Sequence, residues 1–417
     1  MAYDETTYRR PGDQGDDPAT YRTNGMSSAD YRGRRRDVDQ DDSGGRYLDP
    51  SVDPRRAARD DDRDRLGVHI GWEIVLLVAV AAIGYLLYRL DPASVRRPAL
   101  DGLLISGTVI GLLTLGAGLT LRAGVPNLAV GPIALAAALH YAENGDRGLL
   151  QSALPAVLIA AGGGLLIALL VIGLHVPGWV ATLGAALGVI VYCQLRTAPV
   201  AVQGDYDPSN QAFYLFGGFA LLAVLGGALG TLTPVRQMLG QLRPAADPAD
   251  RPALGAALPV IGSLVFSSMF AVVAGILMAA QSTQPIAPET GLEWTGIAFG
   301  AALLAGTSAF GRRGGIFGTL LAVAGMALFL DYANRRNFDI ALFAIAAGAV
   351  GGGLVVTRLI ETYGRPLPVG GVEEWNAAPT TGTTANWSPE MPESWTPNVP
   401  TQGRSDRWDE GPWGSIR

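Results

Sequence analysis

The sequence predicts an all-α integral membrane protein of about ten transmembrane helices in two inverted-repeat-like halves, with broken helices in each and a disordered tail at either end. Three observations carry this. Apolar runs of roughly 17 to 25 residues recur through the middle of the chain, the length a helix needs to cross ~30 Å of hydrocarbon. The residues are 49% hydrophobic and only 16% charged, and most of the charge is crowded into the two ends. Two of the apolar runs are interrupted by glycine, proline, asparagine and arginine, which no uniform spanning helix would need.

The first region, residues 1–66, is dominated by Asp, Arg, Gly, Ser and Tyr. It holds too few aliphatic side chains to offset the entropy of ordering and reads as a disordered tail. The first apolar run starts near Val68, too deep for a secretory signal, and the arginines before it place the N-terminus in the cytoplasm. Residues 67–363 form the transmembrane region. Its spans are expected at about 68–90, 99–121, 123–142, 149–173, 177–196, 212–234, 256–280, 291–310, 314–331 and 338–358.

An even number of spans puts both tails in the cytoplasm of a multi-pass plasma-membrane protein. Arg122, Arg236, Arg243, Arg251, Arg312, Arg313, Arg358 and Arg365 then lie inside, as the positive-inside rule asks, while Arg89, Arg96, Arg97, Arg147, Arg196, Arg335 and Arg336 run against it. Glycine runs such as "IAAGGGLLIALL" and "AGAVGGGLVV" let helix backbones approach closely where lipid gives no hydrophobic drive. They are packing features, not phosphate loops.

The chain contains no lysine, so the G-K-[ST] of a nucleotide-binding P-loop is absent. Cys193 is the sole cysteine, which excludes an intrachain disulfide and a cysteine-rich metal site. His69, His140 and His175 are scattered along the chain. With neither a nucleophile–base pair nor paired acids, the sequence points away from an enzyme, and it calls for no cofactor, metal or nucleic acid.

The stretch "TLRAGVPNLAVGPIALAAALHYA", Thr120 to Ala142, opens on a helix break. Pro126 removes a backbone donor and restrains Val125, and irregular backbone at membrane depth must be buried in protein or line a water-filled cavity. Asn127 therefore either caps the following helix or lines a solute path, and the two roles are compatible. A second break, "LLAGTSAFGRRGGIFGTLLAVAG", carries Thr307 and Ser308. Two interrupted segments in comparable positions of two halves point to a solute route between them.

At these residues a family resemblance enters. "GAGLTLRAGVPNLAVG", "HVPGWVATLG" and "AAQSTQPIAPETGLEWTGIAFGAALLAGTSAFGRRGGIFGTLLAVAG" occur in this order. From about Ala99 to Leu359 the chain resembles the permease subunit of bacterial ABC importers of the ribose and simple-sugar class, whose relatives carry nucleosides and branched-chain amino acids. The resemblance implies a second permease copy or paralogue, a cytoplasmic ABC ATPase that hydrolyses ATP in the permease's stead, and an extracellular solute-binding lipoprotein. It implies a solute path lined by Asn127, Gln281, Gln284, Thr307 and Ser308. It also implies an ATPase contact in the loop at 235–255, at Arg236, Gln241 and Arg243.

Two departures bear on that expectation. Where the family carries a G-x-N-x-x-A-A-x-x-x-G-I pattern, this loop reads "RPAADPADRPALGAAL", interrupted by Pro244, Pro248 and Pro252. Gly131 and Pro132 replace an acidic residue of the nucleoside-type members. The first departure motivates an alternative reading, a permease-like scaffold that no longer transports and acts through its tails. An ion-driven transporter fits less well, because the spans hold almost no ionisable side chains. The C-terminal tail, 364–417, repeats tryptophan followed by proline, in "EEWNAAP", "ANWSPE" and "ESWTPN", and reads as a low-complexity extension.

Overall fold

The computed structural model describes residues 66–230, 232, 254–309 and 315–364. Both tails and the 235–255 loop, with Arg236, Gln241 and Arg243, lie outside the described residues but for the last two positions of that loop. Ten α-helices run through the described part: α1 (Leu66–Leu90), α2 (Ala99–Arg122), α3 (Val130–Asn144), α4 (Leu149–Gly173), α5 (Gly178–Gln194), α6 (Ala212–Leu229), α7 (Leu254–Gln281), α8 (Leu292–Leu304), α9 (Gly318–Arg335) and α10 (Leu342–Gly364). Among the described residues the β-structure is one isolated antiparallel bridge, Val200 to Ile286.

Six of the helices, α1, α2, α4, α6, α7 and α10, are long and apolar enough to cross a membrane. The other four are shorter or more polar, and this revises the expected spans. The 20 residues expected at 291–310 yield an α8 of 13 residues, about 20 Å at 1.5 Å per residue, too short to cross alone. The expected 123–142 span becomes an α3 of 15 residues that starts at Val130. In both cases the break takes the missing length.

Helix α7 is the hub, packed against α2, α3 and α4. Its partners are recognisable by small residues that bring backbones together. A Cβ built on Gly116 of α2 would sit 3.2 Å from the Ser267 Cα, and one on Gly164 of α4 would sit 2.7 Å from the Leu264 carbonyl oxygen. A second tight pair, α8 with α10, is built the same way: Gly300 faces Ala349, and Gly353 faces Leu303. The main apolar core gathers Leu113, Ala117, Val130, Ala134, Ala274 and Ala298 from α2, α3, α7 and α8, all fully buried. Helix α1 is peripheral and lies along α9.

The broken segments do not form an inverted pair. Gly107 of α2 faces Ala327 of α9, while Arg122 and Ile316 both reach the end of α6 at Gly226 and Gly227, so α9 runs antiparallel to α2. Gly318 of α9 abuts Ala305 at the end of α8, so α8 runs antiparallel to α9 and parallel to α2. Both breaks therefore follow helices that run the same way. Alternating helices restore their direction every second crossing, and α2 and α8 stand an even number of helices apart.

Candidate functional site

The two breaks share one backbone design. After α2, the Gly124 amide donates to the Leu121 carbonyl and the Val125 amide to the Thr120 carbonyl; after α8, Gly306 donates to Leu303 and Thr307 to Ala302. These are the two bonds of a Schellman cap, which needs a left-handed residue just past the helix end. Gly124 and Gly306 supply it at φ 71° and 85°. The A-G pairs at Ala123–Gly124 and Ala305–Gly306 are the sequence mark of this repeat.

The first break is braced from within the core. Asn127 is completely buried. Its side-chain amide donates to Ser267 Oγ at 2.8 Å, its carbonyl oxygen accepts from the Ala129 amide at 3.1 Å, and its backbone amide donates to Thr120 Oγ1. Thr182 Oγ1 of α5 donates to the Pro126 carbonyl at 2.8 Å. Polar backbone that a straight helix would have satisfied is thus satisfied by side chains from α2, α5 and the break itself, and α7 holds the Asn127 side chain in place.

Ser267 lies midway along α7, so the chain re-enters the bundle centre before α3 starts. There it meets the start of α8. Thr295 Oγ1 accepts from the Gly131 amide at 3.0 Å and donates to the Leu128 carbonyl at 3.2 Å. Gly131 and Gly291 touch backbone to backbone, so tightly that a Cβ on either would collide with the other. Two short helices, α3 and α8, therefore present their N-termini to each other at this level.

The second break is held from outside, by α1 and α10. Trp72 Nε1 donates to the Leu304 carbonyl at 2.8 Å. Glu73 Oε1 accepts from the amides of Phe317 and Gly318, at 2.6 and 3.0 Å. Ser308 Oγ donates to Glu361 of α10.

A cavity of about 500 Å³ opens where α2 starts and α7 and α9 end. That size falls within the usual range for small-molecule sites. Its polar wall comprises Ser106, Gln281, Ser282, Asp331 and Asn334, and Trp294 gives it an aromatic face. Gln281 is also a staple between α7 and α2: its amide nitrogen donates to the Gly102 carbonyl at 2.8 Å, and Ser106 Oγ donates to its oxygen at 3.4 Å. Asp331 accepts from Arg335 Nε at 2.9 Å, and Arg335 also pairs with Asp91 in the α1–α2 turn. The carboxylate on the cavity wall is thus partly neutralised and fixed in position.

Farther round the same end, Arg196 clasps Glu143 through two parallel bonds of 2.6 and 2.7 Å. The Glu143 carboxylate holds the Arg196 guanidinium above its ordinary range. Asp207 accepts from the Ser209 amide and side chain, which hold its carboxyl below the usual carboxylate range. Among the described residues, no three His, Cys, Asp or Glu come close enough to hold a metal ion.

Of the residues expected on a solute path, Gln281 lines the cavity. Gln284 lies exposed in the loop just beyond it. Asn127, Thr307 and Ser308 are buried at the two breaks and do not line that cavity. Sequence reasoning missed Ser106, Trp294, Asp331 and Asn334. Asp331 carried a readable signal, a lone acid in an apolar helix with arginine four residues on.

None of the protein-family models matches the chain, and none of the solved structures matches it. The autoinducer 2 import system permease protein LsrC of Enterobacter sp. (strain 638) is 30% identical over 264 residues, an alignment that covers 60% of this chain and 75% of that protein. Apolar helices of spanning length, two broken segments at a shared level and this similarity agree: the chain belongs to the sugar permease family of ABC importers.

Proposed function

We propose that this chain is the membrane-spanning subunit of an importer that moves a small polar solute, a sugar or a nucleoside, by alternating access powered by a separate ATPase chain. The observation that carries the reading is the half-open cavity of about 500 Å³, whose wall combines Trp294 with Ser106, Gln281, Asp331 and Asn334 in a chain of this family. Hydroxyl groups of a solute find acceptors and donors there, and the indole offers an apolar ring face. The relative's name refers to autoinducer 2, which makes that compound the first candidate to test.

In this reading the cavity faces outward, both termini are cytoplasmic, and an extracellular solute-binding lipoprotein delivers the solute. A second permease copy or paralogue completes the pore, and the ATPase docks on the loop with Arg236, Gln241 and Arg243. Gln281 contacts the solute at entry. Gln284 lies at the mouth, and Asn127, Thr307 and Ser308 belong to the joints that shift as access alternates.

The test is isolation of the full chain from native membranes in mild detergent, with mass spectrometry of its companions. A P-loop ATPase and a solute-binding lipoprotein are expected, and the lipoprotein's bound solute names the cargo. Absence of both overturns the reading in favour of a scaffold that works through its tails.

A further inference from the structure

We infer that Trp72 and Glu73 of α1 are positioning residues that set how the end of α8 and the start of α9 stand relative to each other. Three observations converge. First, the two side chains are adjacent in sequence yet act on opposite sides of the break. Trp72 donates to a carbonyl in the last turn of α8, and Glu73 accepts from the first amides of α9. One rigid turn of α1 thereby holds two helix ends at a fixed spacing.

Second, the fit is built for this contact. Gly315 presses so closely on the Glu73 carboxyl that a side chain there would collide with it, and the Trp72 ring lies 3.8 Å from where a Cβ of Gly306 would be. A carboxylate on the open amides at a helix N-terminus is a charge-assisted pairing that also opposes the helix dipole. Third, α1 buries little else: among its described residues His69 and Leu87 are the buried side chains.

Comparison of the two breaks sharpens the inference. They share the Schellman backbone, but the first is braced by Thr120, Asn127, Thr182, Ser267 and Thr295 of the central helices. The second is held by the peripheral α1 and by Glu361 of α10. A shift of α1 would therefore act directly on the α8–α9 joint and not on the α2–α3 joint. The bracing stands whether or not the chain transports; its use in a transport cycle rests on the function proposed above.

The experiment uses the full chain in detergent, with the buried Cys193 replaced by alanine and a single reporter cysteine introduced. Ala309→Cys, exposed next to Ser308, reports the second break, and Leu174→Cys, exposed between α4 and α5, is the control for general loosening. Glu73→Gln should raise the maleimide labelling rate at position 309 by about tenfold and leave that at position 174 unchanged. Glu73→Asp, which keeps the carboxylate, should recover part of the difference, and Trp72→Phe should act in the same direction as Glu73→Gln. An unchanged rate at 309 overturns the inference. Equal acceleration at 309 and 174 also overturns it, because it would mean general loosening.

Discussion

Asn127 and Ser267, 140 residues apart in the chain, are joined by a 2.8 Å hydrogen bond at the midpoint of α7, where both are fully buried. The bond does more than connect α7 to the first break. The same asparagine turns the chain into α3 by accepting from the Ala129 amide, so its side chain serves as both donor and acceptor. Asn127→Leu leaves the Ala129 amide without this partner, at a cost of about 1–3 kcal/mol for a buried group, while the Ser267 hydroxyl keeps its bond to the Leu264 carbonyl. Ser267→Ala removes one partner and should cost less. Thermal unfolding in detergent checks the order, and a double-mutant cycle should show strong coupling.

Gly124 and Gly306 are expected to resist substitution for a backbone reason. Alanine at a left-handed position costs about 1–2 kcal/mol. At Gly306 the added Cβ would also lie 3.1 Å from the Ile360 side chain, so that variant should cost at least the backbone strain. Melting temperatures of the two variants provide the comparison.

The α8–α10 contact predicts a packing defect. A Cβ on Gly300 would come within 2.5 Å of the Ala349 Cβ, so Gly300→Val forces the helices apart at about 1–3 kcal/mol or more. Gly351 of α10 has open space around it, and Gly351→Ala should be close to neutral. Expression level and monodispersity in detergent distinguish the pair.

The cavity predicts a separation of transport from stability. Asp331→Asn keeps the shape of the wall but weakens its pairing with Arg335, and should reduce uptake of the cargo by about tenfold or more while shifting the melting temperature little. Trp294→Phe, which keeps the apolar face, should be milder. Uptake into cells with equal membrane levels of each variant is the measurement. If both variants transport like the parent, this cavity is not on the route.

Much of this could be read from the residues. Apolar run length marked regions that hold ten helices, six of them long and apolar enough to cross a membrane. Glycine, proline and asparagine marked the first break, and Thr307 and Ser308 followed by arginine and glycines marked the second. Two things were not legible. Hydropathy does not register where a helix stops inside an apolar run, so the seven residues from Ala123 to Ala129 were counted as span although they form a helix end and a turn held partly by side chains. The cavity was also hidden, since Ser106, Trp294 and Asp331 come from three helices and no local pattern unites them. The direction of the second break followed from contacts such as Gly107 with Ala327, which no single stretch encodes.

The meeting of α3 with α7 and α8 has a consequence for how the protein is made. The groups that satisfy the first break are synthesised late: Ser267 is 140 residues after Asn127, and Thr295 is 164 residues after Gly131. At ~5–20 residues per second, α3 waits on the order of ten seconds for them. Until then the Asn127 side-chain amide and the Gly131 amide lack these two partners, and hydrocarbon offers none. Helix α3 can settle at its final depth only after the second half of the chain has been delivered to the membrane.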